Sequence, residues 1–445
     1  MSEQRRAAVF RYESWTLDPE TWRLTCTYSL DGRTFTELVT FDPSPAITSS
    51  AVRAAARLVF LLAGISYYKA GAPPVIDLGE HAVTDRERQF LLRYYIDGLG
   101  EFAFKNGLLA ELQELRIEGP TLAAPEPAEV PRSDRPLVPF GGGIDSIVVV
   151  ESVRQGHPDA ALFVASRAEA RFEAIESAAA VTGLPIRRAD REIDEQVLRS
   201  RELGFLNGHV PVTGILSAMA ITAALLDGRD AVVMSNEWSA SSGTTISDGI
   251  PVNHQWSKSE QFEEAFRGLL AESLPGFEYF SALRAWSELW VARRFADLHA
   301  YHPVFRSCNR AFHLDPALRW DHWCGRCDKC CFIDLILSPF LERSELESIF
   351  RGAEPLAQAD LEPKFLALLG DPLHNKPFEC VGDENECRTA VLLAAARDDR
   401  ADTALLQQLA ELVRGAGAPP SAEELLRPLG RSFVPDGYGE PDLIS

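Results

Sequence analysis

Apolar and polar residues alternate in the first forty positions and then change to a helical spacing. Residues 23–30 and 34–41 alternate on either side of an Asp-Gly pair, which is typical of two antiparallel strands joined by a hairpin turn. Residues 48–70 carry apolar side chains every three or four positions and are predicted to form a helix. A short strand at 75–78 and a further helical stretch complete a predicted N-terminal α+β module over residues 1–118.

A proline-rich stretch follows this module. Residues 119–136 contain five prolines among small and charged residues, a composition typical of a semi-rigid linker. Beyond the linker, short apolar runs alternate with helical segments, and residues 260–300 show only the helical pattern. Repeated β–α units predict a parallel sheet with helices on both faces. The sequence therefore predicts a doubly wound α/β domain over residues 137–300.

Two further segments complete the predicted organisation. Residues 301–334 are rich in cysteine, and residues 335–445 are predicted to be mostly helical with a loosely held end. Within the α/β domain, residues 239–257 are rich in serine, threonine and glycine and lack periodicity. A segment of this length is either a functional lid or a surface insertion, and the sequence leaves both readings open.

Composition narrows the range of functions. The 445-residue chain is 46% hydrophobic, enough for a large core, and its formal net charge is −21. This acidic balance disfavours broad electrostatic binding to nucleic acid, which needs many contacts between cations and phosphates. The N-terminus lacks the apolar stretch of a signal peptide, and uninterrupted apolar runs are too short to span a membrane. We expect a cytoplasmic protein whose partners include neither a nucleic acid nor a membrane.

Three consecutive glycines mark the start of the first helix predicted in the α/β domain. Gly141, Gly142 and Gly143 follow an apolar run predicted to be a strand, and Asp145 and Ser146 precede an apolar run that begins a helix. Glycines let the backbone approach a ligand closely, and helix N-termini attract phosphate groups. The spacing matches neither the G-x-x-x-x-G-K-[ST] loop nor the G-x-G-x-x-G loop. The motif is therefore either another kind of phosphate loop or an ordinary β–α turn.

The stretch from Phe140 to Ser146 resembles the S-G-G-x-D-S pyrophosphate loop of the N-type ATP pyrophosphatases. One position departs from that pattern, because the first serine of the motif corresponds to Phe140 or Gly141 in this chain. The resemblance implies a parallel sheet of the adenine-nucleotide α-hydrolase type. It also implies that ATP is cut between its α- and β-phosphates and that AMP is joined to a substrate oxygen.

Residues near this loop are candidates for holding the nucleotide. The three glycines and Ser146 are expected to bind the pyrophosphate through backbone N–H and hydroxyl groups. Asp145 is a candidate Mg²⁺ ligand, because Mg²⁺ binds carboxylate and phosphate oxygens. Glu237 is a second, since it lies at the end of a predicted strand on the same rim of the sheet. Further candidates for phosphate or carboxylate contacts, for which a surface charge is the alternative reading, are Lys258, Arg306 and Arg310.

Four cysteines are spaced as metal ligands. Cys324, Cys327 and Cys330 form a C-x-x-C-x-x-C motif, and Cys308 lies sixteen residues before it. Four thiolates favour tetrahedral zinc in a structural role, whereas an iron–sulfur cluster and reduced thiols without metal are the alternatives. The arrangement resembles that of 7-cyano-7-deazaguanine synthase, another enzyme with a pyrophosphate loop. That resemblance supports zinc beside an ATP site.

Three stretches together resemble the MurL family, namely residues 10–20, 140–146 and 375–382. MurL proteins convert the terminal L-glutamate of UDP-N-acetylmuramoyl-L-alanyl-L-glutamate to D-glutamate in peptidoglycan precursor synthesis, and they use ATP and magnesium. The resemblance implies that this chain is such an epimerase and that the UDP-sugar dipeptide is its substrate. The glutamate carboxylate would be activated as an acyl-adenylate, with AMP and diphosphate as the other products.

The group that moves the α-proton is not determined by the sequence. Cys380 and Cys387 are candidates for a pair of thiols, as in other cofactor-free racemases, and Asp145 is a catalytic candidate through the Mg²⁺ it would hold. Histidines that compete for the role of base are His254, His313 and His374.

Three other functions fit parts of the pattern. An adenylating amide- or nitrile-forming synthase would use the same loop but would need ammonia or an amine. A tRNA-thiolating enzyme would use the cysteines for sulfur chemistry, although the acidic balance weighs against tRNA binding. A nucleotide-binding module without catalysis would convert no ATP to AMP.

Overall fold

The structure is a computed structural model, and one ten-stranded sheet runs through its centre. The structure describes residues 6–167, 169–247, 249–313, 315–352 and 354–439. The strands are β1 Val9–Asp18, β2 Arg23–Leu30, β3 Arg33–Phe41, β4 Val75–Asp77, β5 Arg116–Glu118, β6 Pro136–Pro139, β7 Ala161–Ser166, β8 Ile186–Glu192, β9 Ala231–Met234, β10 Thr245–Ser247, β11 Ile250–Val252 and β12 Glu278–Ser281. Their order in the sheet is β12-β9-β6-β7-β8-β3-β2-β1-β4-β5, while β10 and β11 pair separately.

The sheet is mostly parallel, with an antiparallel section in its N-terminal half. Six neighbouring pairs are parallel, and three, β1–β2, β2–β3 and β3–β8, are antiparallel. The β3–β8 pairing runs from Leu38 opposite Glu192 to Phe41 opposite Ala189. It joins strands from the predicted N-terminal module to strands from the predicted α/β domain, so both regions share one continuous sheet.

Helices cover both faces of this sheet. They are α1 Ser50–Ala63, α2 Ile65–Tyr68, α3 Asp85–Ile96, α4 Gly100–Asn106, α5 Leu109–Gln113, α6 Ile144–Gly156, α7 Glu173–Thr182, α8 Glu195–Leu198, α9 Ser200–Leu203, α10 Val212–Leu226, α11 Glu260–Ser273, α12 Glu288–Ala296, α13 Asp328–Leu337, α14 Arg343–Ile349, α15 Glu362–Leu368, α16 Glu384–Ala395, α17 Ala404–Ala416 and α18 Ala422–Leu425. Leu137 and Phe163 belong to the hydrophobic cluster of α1 and α10, whereas their neighbours Val138 and Leu162 belong to that of α6 and α13. A sheet buried on both faces is what repeated β–α units predict, so the α/β class is confirmed.

Most of the predicted elements are present, and one prediction is wrong. The predicted hairpin forms between β2 and β3, with Asp31 (φ 48°) and Gly32 (φ 82°) in the left-handed region. Residues 260–300 are not helical throughout, because Glu278–Ser281 forms β12 beside β9, between α11 and α12. This strand has only four residues, three of them buried. So short a run carries too little periodicity to distinguish a strand from a helix.

The helical stretch Ser50–Tyr68 is long and apolar enough to cross a membrane, judged by length and composition alone. In the fold, 72% of that apolar window is buried inside the protein. Tyr67 and Tyr68 at its end are fully buried, and α1 packs along α10. Because a core helix meets the same criteria, this stretch is weak evidence for a membrane span.

The serine- and glycine-rich segment 239–257 is anchored on the rest of the protein. It contains β10 and β11, and β11 packs against α4. Val252 and Trp256 are buried, and Asn253 Nδ2 donates a hydrogen bond to the Ala240 carbonyl. The segment therefore has a defined position, which places His254, and Lys258 directly after the segment, in partly buried positions.

Candidate active site

The three glycines form a tight connection between β6 and α6, as the sequence predicts. Gly142 has φ +73°, and a Cβ added there would lie 2.8 Å from the Ala174 carbonyl oxygen, so glycine is required. Gly143 precedes the first turn of α6, and within the described residues no side chain caps that helix end. The first N–H groups of α6 therefore face the loop without an intrahelical acceptor, the usual arrangement of a phosphate-binding helix start.

Three carboxylates meet beside this loop. Asp145 lies in the first turn of α6, Glu237 follows β9, and Glu288 begins α12. One carboxylate oxygen from each can be chosen so that all three lie within 4.8 Å of one another. Each residue also has one buried oxygen that lacks a hydrogen-bond partner among the described residues. We call Asp145, Glu237 and Glu288 the carboxylate cluster.

Burial and mutual repulsion raise the pKa of two members of the carboxylate cluster. Burial, followed by the charge of Glu237, raises the pKa of Asp145 to about 7, although Lys258 and Lys329 oppose the rise. Burial, followed by the charges of Asp145 and Glu237, also raises the pKa of Glu288 well above its usual value. Buried like charges of this kind are typical of sites that bind a cation. The oxygen-only donor set with unpartnered oxygens fits Mg²⁺.

Sequence reasoning found two members of the carboxylate cluster and missed Glu288. Asp145 and Glu237 were predicted because each follows a strand on the same rim of the sheet. Glu288 follows Ser287, whose hydroxyl accepts a hydrogen bond from the Trp290 N–H and caps α12. An acidic residue after a serine cap is common at any helix start, so the local sequence held no signal that separates Glu288 from an ordinary capping position.

The side chain of Arg284 links two segments of the site through hydrogen bonds to their backbone carbonyls. This side chain is 1% exposed, and its Nε donates to Glu263 Oε2 at 2.8 Å. Its Nη1 donates to the Glu237 carbonyl at 3.0 Å, and its Nη2 donates to the Lys258 carbonyl at 2.5 Å. One buried guanidinium therefore positions the backbones of a carboxylate and of a lysine that both face the site.

Cys380 lies among positive charges. Lys258 Nζ donates to Cys380 Sγ at 3.3 Å, and Lys329 Nζ donates to the Cys380 carbonyl. Burial alone would raise the pKa of Cys380, but Lys258, His254 and Lys329 together outweigh it and lower the pKa to about 6. A thiol with these neighbours is largely thiolate at neutral pH.

Cys387, the other thiol predicted to transfer protons, has a different environment. It lies in α16, is 0% exposed, and belongs to the hydrophobic cluster that contains α6 and α13. Burial raises the pKa of Cys387 far above its usual value, although Lys376 opposes the rise. The structure therefore gives the two predicted thiols opposite properties, with Cys380 ionised and Cys387 neutral.

The other residues predicted to belong to the site lie in different environments. Arg306 is buried and pairs with Glu173 at the start of α7, while the following residue, Ser307, approaches the glycine loop at Gly143. Arg310 is exposed, and its guanidinium carbon lies 5.9 Å from the centroid of the Trp320 ring. His313 and His374 interact with nearby residues of their own loops, Asp315 and Asp371.

The four predicted metal ligands come together as a group, which we call the cysteine cluster. Sγ–Sγ distances are 4.0 Å for Cys308 and Cys327, 3.6 Å for Cys324 and Cys330, and 3.5 Å for Cys327 and Cys330. Four sulfurs held about 2.3 Å from a tetrahedral zinc ion would be about 3.8 Å apart, so the spacing fits zinc. Cys331 is buried in the hydrophobic cluster of α13 and is not part of this group.

The cysteine cluster and the candidate active site share one helix. Cys327 precedes the first turn of α13, and Lys329 lies in that turn. The Lys329 side chain reaches the Cys380 carbonyl on the other side. A metal bound by the four cysteines would therefore fix the start of α13 and, through Lys329, the position of Cys380.

Comparisons with known proteins identify relatives over nearly the whole chain. Residues 1–282 match the protein family described as MurL N-terminal domain, and residues 304–424 match the MurL C-terminal domain. A curated protein from Xanthomonas oryzae pv. oryzae is 36% identical over 91% of this chain and 90% of its own length. Another from Salinispora tropica is 37% identical over 98% of this chain and 96% of its own length. Both are named UDP-N-acetyl-alpha-D-muramoyl-L-alanyl-L-glutamate epimerase.

Proposed function

The chain belongs to the MurL family, and we propose that it uses ATP to invert the terminal L-glutamate of UDP-N-acetylmuramoyl-L-alanyl-L-glutamate. Family membership makes the protein an isomerase, an epimerase of peptidoglycan precursor synthesis. The proposal adds the route, which is an acyl-adenylate of the glutamate with AMP and diphosphate as products. It also adds the fold type, a sheet of the adenine-nucleotide α-hydrolase kind, in which ligands bind beyond the carboxyl ends of the strands.

The observation that carries the proposal is the carboxylate cluster beside the glycine loop. Three carboxylates lie with one oxygen of each within 4.8 Å of the others, and each has a buried oxygen without a partner among the described residues. They stand next to a helix start that no described side chain caps. Asp145, Glu237 and Glu288 would hold Mg²⁺, which supplies positive charge to the phosphate oxygens of ATP. Gly141, Gly142, Gly143 and Ser146 would bind the diphosphate portion through N–H and hydroxyl groups. Further contacts to phosphate or carboxylate would come from Lys258, Arg306 and Arg310.

Adenylation would make the α-proton easier to remove, because it takes away the charge of the carboxylate. Removing the α-proton beside a free carboxylate would place a second negative charge on a group that is already anionic. In the proposed first step, an oxygen of the glutamate α-carboxylate attacks the α-phosphorus of ATP. The bond from that phosphorus to the bridging oxygen of the diphosphate breaks. The resulting acyl-adenylate no longer carries the carboxylate charge, so a base removes the α-proton more easily, and an acid returns a proton to the opposite face. Water then cleaves the acyl-adenylate and releases AMP.

The cysteines support a second proposed metal and a proposed cellular location. The cysteine cluster fits a structural zinc ion, which we propose as a resident metal distinct from Mg²⁺. All eight cysteines are free of disulfide bonds. The four in the cysteine cluster lie close enough together to bind one metal ion. Reduced cysteines fit a cytoplasmic enzyme, the compartment that we propose.

A single incubation tests the proposed function. Purified protein is mixed with ATP, Mg²⁺ and UDP-N-acetylmuramoyl-L-alanyl-L-glutamate, and AMP, diphosphate and the chirality of the released glutamate are measured after acid hydrolysis. We expect AMP and diphosphate in equal amounts together with D-glutamate. Formation of ADP and phosphate, or AMP formation that requires ammonia and leaves the glutamate in the L form, would contradict it. A gel shift with tRNA, in which we expect no complex, checks the tRNA-thiolating alternative.

A further inference from the structure

Three distant parts of the chain converge at Cys380. Glu101 comes from α4 in the N-terminal half, His254 from the segment 239–257, and Cys380 from the irregular stretch before α16. The stretch before α16 is seated by Phe378, whose ring centroid lies 5.7 Å from that of Phe104 and 6.4 Å from that of His254. These contacts bring a carboxylate, an imidazole and a thiol together beside the carboxylate cluster.

The histidine is oriented by the glutamate. His254 Nδ1 hydrogen-bonds Glu101 Oε2, and the other oxygen of Glu101 accepts a hydrogen bond from Lys105 Nζ. With Nδ1 bound to a carboxylate, Nε2 is the nitrogen left to interact with Cys380. Phe378, two residues before Cys380, has its ring centroid 6.4 Å from that of His254, and Lys258 Nζ donates to Cys380 Sγ at 3.3 Å, so the imidazole and the thiol lie in one neighbourhood. A carboxylate that orients an imidazole, which in turn polarises a nucleophile or base, is a recurring catalytic arrangement.

The charges around the pair favour a thiolate facing an imidazolium. Burial lowers the pKa of His254, but Cys380 and Glu101 outweigh it and raise the pKa to about 9. The neighbouring His209 has its pKa lowered to about 4 by burial and by His254, so it is neutral and adds no positive charge. On the other side, Lys258 and Lys329 donate hydrogen bonds to Cys380, and Cys380 is near enough to Asp145 for its charge to raise the pKa of that carboxyl.

We propose that Glu101, His254 and Cys380 form a carboxylate–imidazolium–thiolate triad in which Cys380 exchanges the α-proton of the activated glutamate. This inference rests on the proposed function and deepens it by naming the base. Cys380 is the catalytic residue, because it would touch the substrate. Glu101 and His254 are positioning residues that hold Cys380 as a thiolate and take no part in adenylation.

The proton and electron count of this step balances. The α-carbon–hydrogen bond breaks as a sulfur–hydrogen bond forms at Cys380. The electron pair left on carbon moves into the activated carbonyl group as an enolate, so the negative charge passes from the sulfur to the enolate while His254 keeps its proton. A second acid that exchanges with solvent delivers a proton to the opposite face of the α-carbon. After the inversion, Cys380 releases its proton to solvent and the second acid takes one up, which restores both groups. In the reverse direction, Cys380 delivers a proton to the first face.

Separate readouts for the two half-reactions distinguish this inference from the proposed function. Adenylation is followed by AMP formation, and proton transfer by deuterium entry at the glutamate α-carbon in deuterated water. In Cys380→Ser, His254→Gln and Glu101→Gln, we expect AMP formation within a few-fold of the unchanged protein. We expect α-deuteration to fall by about 100-fold or more in Cys380→Ser, since general base catalysis supplies about that factor. Matched controls are Glu111→Gln and His299→Gln, at exposed positions on the surface.

The state of the thiol supplies a readout that does not depend on turnover. Alkylation of Cys380 by iodoacetamide is followed by mass spectrometry of its peptide as a function of pH, because the thiolate is the reactive form. We expect a midpoint near pH 6 in the unchanged protein. The midpoint should move toward the ordinary cysteine value of about 8.5 in His254→Gln, with a smaller move in Glu101→Gln. His299→Gln should leave the midpoint unchanged.

Several results would overturn the proposed triad. Equal losses of AMP formation and α-deuteration in Cys380→Ser would place Cys380 in adenylation, and an unchanged alkylation midpoint in His254→Gln would remove His254 from the triad. Glu101, His209 and His254 also have ligand atoms within 4.8 Å of one another. A metal ion that persists when the cysteine cluster is disrupted but disappears in His209→Ala would therefore make this group a metal site. Absence of AMP and of inversion in the unchanged protein would instead refute the proposed function itself.

Discussion

Replacing Arg284 by methionine tests whether one buried guanidinium holds the candidate active site together. Methionine keeps most of the volume of the side chain but removes its charge and its donors. The substitution leaves Glu263, which is 1% exposed, without its charged partner. It also removes the donors that bind the carbonyls of Glu237 and Lys258. We therefore expect a loss of stability together with a loss of adenylation.

The size of the effect follows from burial. Removing one partner of a fully buried ion pair costs about 3–5 kcal/mol, because the remaining charge stays unpaired in the interior. Unfolding entropy is about 2.1 cal/mol/K per residue, which for 445 residues converts that loss into a fall in Tm of about 3–5 °C. Loss of the tethers to Glu237 and Lys258 should lower AMP formation by about 10–100-fold, since a misplacement of about 1 Å at a reacting site can cost about 100-fold.

Differential scanning fluorimetry and the AMP assay measure the two effects in parallel. Arg293→Met is the matched control, because Arg293 is an exposed arginine on α12 and its loss should cost within about 0.5 kcal/mol. The double variant Arg284→Met with Glu263→Gln removes both charges and should recover most of the Tm but not the AMP formation. An unchanged Tm in Arg284→Met, or full recovery of AMP formation in the double variant, would refute the reasoning.

Three further substitutions test the loop and the two metal sites. Gly142→Ala should destabilise the protein by about 1–3 kcal/mol because of its positive φ, whereas Gly141→Ala, where an added Cβ meets no described atom within 4 Å, should leave Tm nearly unchanged. Glu237→Gln should raise the Mg²⁺ concentration for half-maximal AMP formation by about 10–100-fold or more, and equal Mg²⁺ dependence would remove Glu237 from the site. Cys324→Ser should lose the zinc found by elemental analysis, whereas Cys331→Ser should retain it; zinc retained in both would contradict the assignment.

The sequence predicted the elements whose signals are local. Alternation over residues 23–41 predicted the hairpin of β2 and β3, and the glycines after an apolar run predicted the β6–α6 connection. The spacing of Cys324, Cys327 and Cys330 brings three sulfurs together within one turn and the start of α13, so that group was also predictable. Four-residue β12 was missed, because its pattern is shorter than the period that distinguishes strands from helices.

The arrangement of the site depends on contacts between residues that are far apart along the chain. Lys258 and Cys380 are 122 positions apart, and Glu101 and His254 are 153 positions apart. No local pattern encodes such pairs, since they form only when the strand order and the packing of helices on the sheet place their segments side by side. For this reason Glu288, Glu101 and Arg284 carried no signal that singled them out in the sequence.

The sequence by itself determined which residue types and local shapes this protein has: an α/β pattern, a glycine turn before a helix, and four cysteines at ligand spacing. The tertiary structure alone decided which of two predicted cysteines is ionised. Cys380 and Cys387 lie seven residues apart and are chemically identical in sequence. Packing places one against two lysines and a histidine and the other inside a hydrophobic cluster. The ionisation of a thiol depends on its solvation and on nearby charges, and both are set by the fold.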